Sequence, residues 1–256
     1  MKEISKNIAY FFLDCSTLFK GVKRNINGFT VLFPAKWSRF YNNDYEKETF
    51  EFFKSEIKKG NTILDIGAHI GLYAAPLSSL TGELGKVYCF EPTPETFKVL
   101  SKTVKINKLT NVKCINAAVT ETTGKINFNL TSLDGKGSNA NSIVETERTK
   151  NSVEVHAYSI DDFRLQNKLK IDVLKIDVEG AELNALKGAQ KTFIEDRPLG
   201  ILALHPESIT KMGHSLEEIW DLMQQYNLNV FYKNKDISKT EFCSNTLLFD
   251  VEFKPR

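Results

Sequence analysis

The amino-acid sequence predicts an α/β fold, a doubly wound and mostly parallel sheet of seven strands that ends in an antiparallel hairpin. Short apolar segments typical of buried strands alternate with helix-like segments from Thr62 to Tyr226, which favours parallel strands joined by crossover helices. A glycine turn follows the first of these strands, as in the opening βα unit of such folds. Two later strand-like segments, residues 229–232 and 246–251, are expected to form the closing hairpin.

Length and composition set the class of protein. The 256 residues suit one α/β domain with additions, and a net charge of +2 supplies no broad basic field for nucleic acid. No apolar run approaches the ~18 residues of a membrane span, so no transmembrane segment is predicted. The four cysteines are Cys15, Cys89, Cys114 and Cys243. They form no Cys-x-x-Cys pair, so free thiols in a reducing, cytoplasmic compartment are expected.

Residues 1–44 are predicted to form an N-terminal extension, and residues 45–256 the main domain. The extension begins with apolar residues at helical spacing between lysines, which indicates an amphipathic helix. These apolar residues are Ile4, Ile8, Phe11, Phe12, Cys15, Leu18 and Phe19. The helix is expected to dock on the main domain or on a second subunit, as in a homodimer, and a membrane-surface helix is the alternative. Asn27-Gly28 then predicts a turn, and residues 29–33 a strand.

The main domain is predicted to continue as alternating helices and strands. Helices are expected over residues 45–58, 72–80, 94–106, 181–195 and 215–226, and strands over residues 62–65, 86–90, 111–117, 172–176 and 200–204. Gly60 ends the first helix, and Pro94 suits a first turn, where a proline loses no hydrogen bond. Ser215 and Glu218 have the spacing of a capping box, in which each side chain bonds to the backbone of the other residue.

The alternation breaks between residues 119 and 161. Residues 124–130 and 153–158 alternate like the strands of an exposed hairpin. The polar segment 132–151 between them is predicted to be a long loop, and loops of that length often cover a substrate.

The first strand leads into the spacing D-x-G-x-x-x-G, formed by Asp65, Gly67 and Gly71. Glycines allow a tight turn and close approach of the backbone to a ligand. The dinucleotide fingerprint G-x-G-x-x-G requires a further glycine where this chain has His69, so a nicotinamide-dependent oxidoreductase is the weaker alternative. An acidic residue before the turn suits a cofactor with a positive group, such as the amino-acid end of S-adenosylmethionine. His69 is expected to position the loop or the cofactor.

Glu91 ends the second strand of the main domain, 24 residues beyond Gly67. An acidic residue near this offset accepts hydrogen bonds from ribose hydroxyls in dinucleotide-binding folds. Pro92 would then lie against one face of the base. The structural alternative is an acid that caps the helix beginning at Pro94.

Asp177, Glu179 and Glu182 are crowded at the end of one strand and the start of the next helix. Helix-dipole stabilisation accounts for Glu182 but leaves Asp177 and Glu179 as candidates to contact the cofactor or to accept a proton. His205 ends the following strand and is either a general base or a structural histidine. Asp177, Glu179 and His205 have the chemistry of metal ligands, but no spacing rule supports a metal, so none is predicted.

These segments resemble the FkbM-type methyltransferases. The resemblance rests on ILDIGAHIG, VYCFEPTPETFKVL, the NAAV segment and LKIDVEGAE with the later LKGA. It implies a class I, Rossmann-like fold that uses S-adenosylmethionine to methylate hydroxyls of sugars, polyketides or related metabolites. It further implies that Asp65, Gly67 and Gly71 form the cofactor loop, that Glu91 binds ribose, that Asn116 and Ala117 lie beside adenine, and that Asp177 faces the methyl group.

The predicted function is therefore O-methylation of a sugar, glycan or related metabolite by an S-adenosylmethionine-dependent methyltransferase. Asp177, Glu179 and His205 are the candidate catalytic residues, and Trp37, Tyr41 and Tyr45 are aromatic residues that could stack on a sugar face. A cofactor-binding relative without turnover is a further alternative.

Overall fold

A computed structural model describes residues 20–130 and 151–256, together with residues 10, 12, 13 and 17. Most of the predicted N-terminal amphipathic helix lies outside the described residues, and so does the predicted loop 132–151 apart from Asn151. Within the described part of the chain, no helix has the length and apolar character needed to cross a membrane.

The described residues form strands and helices in the predicted alternation. The strands are β1 (Val22–Ile26), β2 (Phe29–Phe33), β3 (Thr62–Ile66), β4 (Lys86–Phe90), β5 (Val112–Ile115), β6 (Ala118–Val119), β7 (Gly124–Leu130), β8 (Asn151–Tyr158), β9 (Val173–Ile176), β10 (Leu199–Leu204), β11 (Leu228–Tyr232), β12 (Lys235–Asp236) and β13 (Phe249–Pro255). The helices are α1 (Lys47–Glu56), α2 (Ala74–Thr81), α3 (Pro94–Ile106), α4 (Ile160–Asn167), α5 (Glu182–Lys187), α6 (Gln190–Glu195), α7 (Pro206–Lys211), α8 (Leu216–Gln225) and α9 (Lys239–Cys243).

The main sheet has the order β12-β11-β13-β10-β9-β3-β4-β5. Strands β10, β9, β3, β4 and β5 are parallel, while β13 runs antiparallel between β10 and β11. The predicted class I methyltransferase fold is confirmed, with the two-residue β12 as an eighth strand. The closing hairpin is less direct than predicted, because β12 and α9 lie between its two strands and β13 begins later than expected.

Successive strand residues point into the two opposite layers of the core, as the period of a strand requires. Leu64 and Ile66 of β3 pack in the layer that contains α5 and α8. Ile63 of β3 packs in the other layer, together with α1, α2 and the β1–β2 hairpin. The hairpin is the one predicted around Asn27-Gly28, and both turn residues have positive φ. The predicted domain boundary at residue 45 stays a prediction, although residues on both sides of it share this layer.

The side chain of Asn107 binds the outer edge of β2. Its amide oxygen accepts a hydrogen bond from Leu32 N at 2.9 Å, and its amide nitrogen donates to Leu32 O at 2.7 Å. Asn107 thus occupies both backbone groups of Leu32 that a neighbouring strand would use.

Two element predictions were wrong. The single helix over residues 181–195 is divided into α5 and α6 at Gly188, where a Cβ would lie 2.3 Å from the carbonyl oxygen of Thr120. The carboxylate of Asp161 accepts hydrogen bonds from the backbone of Lys191 and Thr192 and so caps the start of α6. The strand over residues 111–117 ends at Ile115. The chain then enters β6, which joins the predicted β7–β8 hairpin in a separate three-stranded sheet.

Candidate active site

A cavity of about 880 Å³, including its open mouth, lies at the carboxyl ends of β3, β4 and β9. Parallel α/β sheets bind their ligands at this edge. The cavity is lined by residues of the glycine turn, of the segments after β4 and β9, of the turn around β6, and of the segment before α1.

The turn after β3 has the tight geometry that its glycines predict. Gly67 has φ +82°, and its backbone N–H and that of Ala68 both donate to the carbonyl oxygen of Phe90. A Cβ on Gly67 would lie 1.8 Å from the carbonyl oxygen of Asp177. Only glycine therefore lets the turn pack against the end of β9. Gly71 has φ +89° and packs against α3, away from the cavity lining.

Glu91 lines the cavity and is held by two backbone groups. Its carboxylate oxygens accept hydrogen bonds from Thr93 N at 2.8 Å and from His69 N at 3.1 Å. Burial raises the pKa of Glu91 to about 7, against the opposing effect of these two donors. A carboxylate can accept about four hydrogen bonds, so Glu91 retains capacity for ligand hydroxyls.

The cavity beside Glu91 is largely apolar. Pro92 and Ala117 line it, together with Val119 and Phe128. Asn116 was predicted to lie there as well, but its side-chain amide donates to the carbonyl oxygens of Glu91 and Pro92, at 2.8 and 3.0 Å. Asn116 supports the shape of the wall, and Ala117 forms part of its surface.

Asp65 does not reach the cavity. Its side chain is fully buried, it is not part of the lining, and burial raises its pKa to about 6. The ammonium group of Lys175 lies 3.9 Å from Asp65 Oδ1 and 3.1 Å from Asp177 Oδ2. Lys175, which lines the cavity, links Asp65 to Asp177, and the predicted direct contact of Asp65 with the cofactor stays a prediction.

Asp177 is the lining carboxylate that remains charged most readily. Burial disfavours its charge, but Lys175 and His205 outweigh burial and hold the pKa of Asp177 below its usual value. The carboxylates of Asp177 and Asp65 in turn hold the pKa of Lys175 above its usual value, although burial opposes this. No role was predicted for Lys175, because a lysine within an apolar strand has no motif that distinguishes it.

His205 lies at the centre of three carboxylates. Its Nδ1 is 2.8 Å from Glu182 Oε1, and its Nε2 is 3.3 Å from Glu179 Oε2 and 3.7 Å from Asp177 Oδ1. Burial lowers the pKa of His205, but the hydrogen bond to Glu182 and the nearby charges raise it to about 9. His205 thus carries a proton at neutral pH, which disfavours the general-base role that the sequence left open.

Glu179 differs from its neighbours. It lines the cavity, has a left-handed backbone at φ +53°, and burial raises its pKa to about 7. The ligand atoms of Asp177, Glu179 and His205 lie within 4.8 Å of one another, so these residues could hold a metal ion. The carboxylates of Asp177 and Glu179 already form ion pairs with His205. The prediction of no metal stays a prediction.

The remaining wall comes from the segment before α1. The hydroxyl of Tyr41 is 2.9 Å from His69 Nδ1, and Tyr73 donates a 2.5 Å hydrogen bond to Glu46. Tyr41, Tyr45 and Glu46 line the cavity. Trp37 does not: it is buried and packs against Phe40. No motif marked Glu46, which has a left-handed backbone at the start of α1.

Comparison with known proteins identifies similar chains. A family model described as "Methyltransferase FkbM domain" matches residues 65–229. The hexuronic acid methyltransferase AglP of Haloferax volcanii is 25% identical over 172 residues, which cover 65% of this chain and 67% of that protein. The methyltransferase sdnD of Sordaria araneosa is 29% identical over 161 residues, covering 52% of this chain and 62% of that protein.

Among solved structures, the FkbM methyltransferase of Methylobacillus flagellatus matches with a TM-score of 0.50 and 16% identity. The match covers 80% of this chain and 50% of that one, and it supports the fold alone. Tyr41, Tyr45 and Glu46 precede the residues that the family model matches.

Proposed function

The chain belongs to the family of FkbM-type methyltransferases, and from this premise we propose that it transfers a methyl group from S-adenosylmethionine to a hydroxyl of a sugar, a glycan or a related metabolite. The observation that carries the proposal is a single cavity with Glu91 and an apolar wall at one end and Asp177 and Glu179 at the other. The name of the Haloferax volcanii relative, a hexuronic acid methyltransferase, supports a sugar acceptor.

The residues of the cavity fit S-adenosylmethionine. Glu91 accepts hydrogen bonds from the two ribose hydroxyls, and the apolar wall that includes Ala117 receives the adenine. The turn at Gly67 brings backbone rather than side chain to the middle of the cofactor. When bound, S-adenosylmethionine supplies an activated methyl group on a positively charged sulfur. Asp177 keeps its negative charge and favours that positive group at its end of the cavity.

Glu179 is the general base in this proposal. A base works best when its pKa is near the working pH, and burial brings the pKa of Glu179 to about 7. Asp177 is a weaker base because Lys175 stabilises its charge, and His205 is already protonated. Glu179 takes the proton of the acceptor hydroxyl, Asp177 orients the acceptor, and His205 positions both carboxylates.

Two alternatives predict different ligands or no turnover. A nicotinamide-dependent enzyme would bind NAD, but His69 occupies the place of a required glycine. A relative without turnover would bind cofactor and methylate nothing.

Calorimetric titration with S-adenosylhomocysteine, with NAD as the control ligand, tests the proposal. Binding of S-adenosylhomocysteine alone, followed by transfer of labelled methyl to a hydroxylated acceptor, is the expected result. Binding of NAD alone would overturn the proposal. Cofactor binding without transfer to any hydroxylated acceptor would favour the inactive relative.

A further inference from the structure

We propose that the acceptor end of the cavity selects an uncharged or positively charged sugar and rejects a uronic acid. This inference rests on the proposed function and narrows its acceptor class. It also separates this chain from the relative named a hexuronic acid methyltransferase.

The charges of the cavity lining disfavour a uronic acid. The acidic residues in the cavity lining are Glu46, Glu91, Asp177 and Glu179. Lys175 is the single lysine of that lining, which contains no arginine among the described residues. The carboxylate and ammonium groups of a bound cofactor cancel, so its sulfonium adds one positive charge. Asp177 and Glu179 are balanced by Lys175 and by protonated His205, and burial raises the pKa of Glu91 and of Glu179 to about 7. Glu46 instead accepts a hydrogen bond from the hydroxyl of Tyr73, so a further carboxylate beside Glu46 would meet a charge of its own sign.

Lys175 is already engaged by other side chains. It contacts Asp177 at 3.1 Å and Asp65 at 3.9 Å, and it lies 5.1 Å from the centre of the Tyr73 ring. A uronate would have to share this ammonium group with Asp177 and Asp65, and each carboxylate would then be less well compensated. The other lining base, His69, is neutral because burial lowers its pKa to about 4.

The wall formed by Tyr41, Tyr45 and Glu46 suits a sugar without a carboxylate. Tyr73 donates to Glu46 at 2.5 Å, Tyr45 also hydrogen-bonds to Glu46, and the rings of Tyr41 and Tyr45 meet edge to face at 4.8 Å. An aromatic ring covers the C–H face of a sugar, while a fixed carboxylate accepts bonds from hydroxyl or ammonium groups. A carboxylate of a ligand donates no hydrogen bond to Glu46 and would meet its like charge there.

The wall also lies outside the part of the chain that defines the family. Tyr41, Tyr45 and Glu46 precede the matched residues 65–229. The family match therefore covers Asp177 and Glu179 of the acceptor end but not these three wall residues.

Three matched probes test the inference: methyl glucoside, methyl glucosaminide and the methyl glycoside of glucuronic acid. Each is titrated by saturation-transfer NMR into the full chain saturated with S-adenosylhomocysteine. We expect the glucoside and the glucosaminide to bind, and the glucuronide to bind at least about tenfold more weakly.

The substitution Glu46→Gln keeps an acceptor oxygen for the tyrosines and removes the charge. It should reduce the discrimination against the glucuronide by about fivefold. Glu48→Gln removes a charge from an exposed glutamate of α1 and should leave the discrimination unchanged. Thermal unfolding of each variant with S-adenosylhomocysteine verifies that both remain folded and bind cofactor.

The possible results distinguish failure of the inference from failure of the proposed function. Glucuronide binding as tight as glucoside binding would overturn the inference, and so would an unchanged discrimination in Glu46→Gln. If S-adenosylhomocysteine binds and none of the three sugars does, the inference fails while the proposed cofactor stands. If S-adenosylhomocysteine itself does not bind, the proposed function fails with it.

Discussion

The two ends of the cavity are built in different ways. At the cofactor end, backbone groups of the glycine turn and of Thr93 hold Glu91, and all of these residues lie close to two strand ends. At the acceptor end, side chains hold other side chains: Tyr73 binds Glu46, and His205 joins Asp177 to Glu179. Backbone geometry follows from a local motif, whereas side-chain partnerships form only after distant segments have packed together.

The largest expected effect concerns the turn at the cofactor end. Gly67→Ala places a methyl group 1.8 Å from the carbonyl oxygen of Asp177 on a backbone with φ +82°. We expect a loss of about 3 kcal/mol or more in the free energy of unfolding, measured by denaturant titration. Gly60→Ala is the control, because its φ of +90° is similar and no atom lies within 4 Å of the added methyl. Equal losses in both variants would mean that close packing does not constrain this turn.

The next effect removes the ligand-binding group of the cofactor end. Glu91→Ala should weaken S-adenosylhomocysteine binding by about 100-fold, because two hydrogen bonds to a charged group are lost. Calorimetry measures the change. Glu95→Ala, at an exposed position of α3, should bind normally. Retained affinity in Glu91→Ala would contradict the assignment of the cofactor end.

At the acceptor end, Glu179→Gln should lower kcat by about 10²-fold or more while S-adenosylhomocysteine binding stays within a few-fold. In the unsubstituted protein, the base works only when it is deprotonated. Because the pKa of Glu179 is raised to about 7, kcat should fall as pH decreases below about 7. A pH profile that is flat between 5 and 8 would exclude Glu179 as the base.

His205→Asn is expected to have a smaller effect, about tenfold on kcat at pH 7, because His205 acts through its neighbours. Loss of its positive charge should raise the pKa of Glu179, so the acidic limb of the kcat profile should move to higher pH. A lower kcat without a shift of the acidic limb of the pH profile would mean that His205 has only a structural role.

The smallest expected effect comes from removing metal ions. If His205 alone organises Asp177 and Glu179, dialysis against a chelator should leave kcat unchanged. Restoration of lost activity by a divalent ion would instead show that the three ligand atoms within 4.8 Å hold a metal.

The same difference between the ends explains what the sequence could predict. The mostly parallel sheet, the glycine turn and the position of Glu91 follow from alternation and from spacing within about thirty residues. The buried position of Asp65 and the role of Lys175 could not be predicted, because both depend on how β3 and β9 lie side by side. No role was predicted for Glu46, and Tyr45 was predicted only to stack on a sugar. Both residues reach the cavity through the packing of α1.

Irregular elements were the other source of error. The break at Gly188 depends on contact with Thr120, which lies in a different part of the chain. The helices α4 and α7 were not predicted from the sequence. Both are short, and their few turns show too little apolar periodicity to be recognised.

The bonds from Asn107 to Leu32 also bear on self-association. A two-stranded ribbon exposes unpaired backbone groups along its edge, and such edges recruit strands of other molecules into aggregates. By occupying both groups of Leu32, the amide of Asn107 blocks the growth of intermolecular sheets at that position of β2. One side chain at the end of α3 therefore limits strand addition at Leu32 as well as anchoring the hairpin.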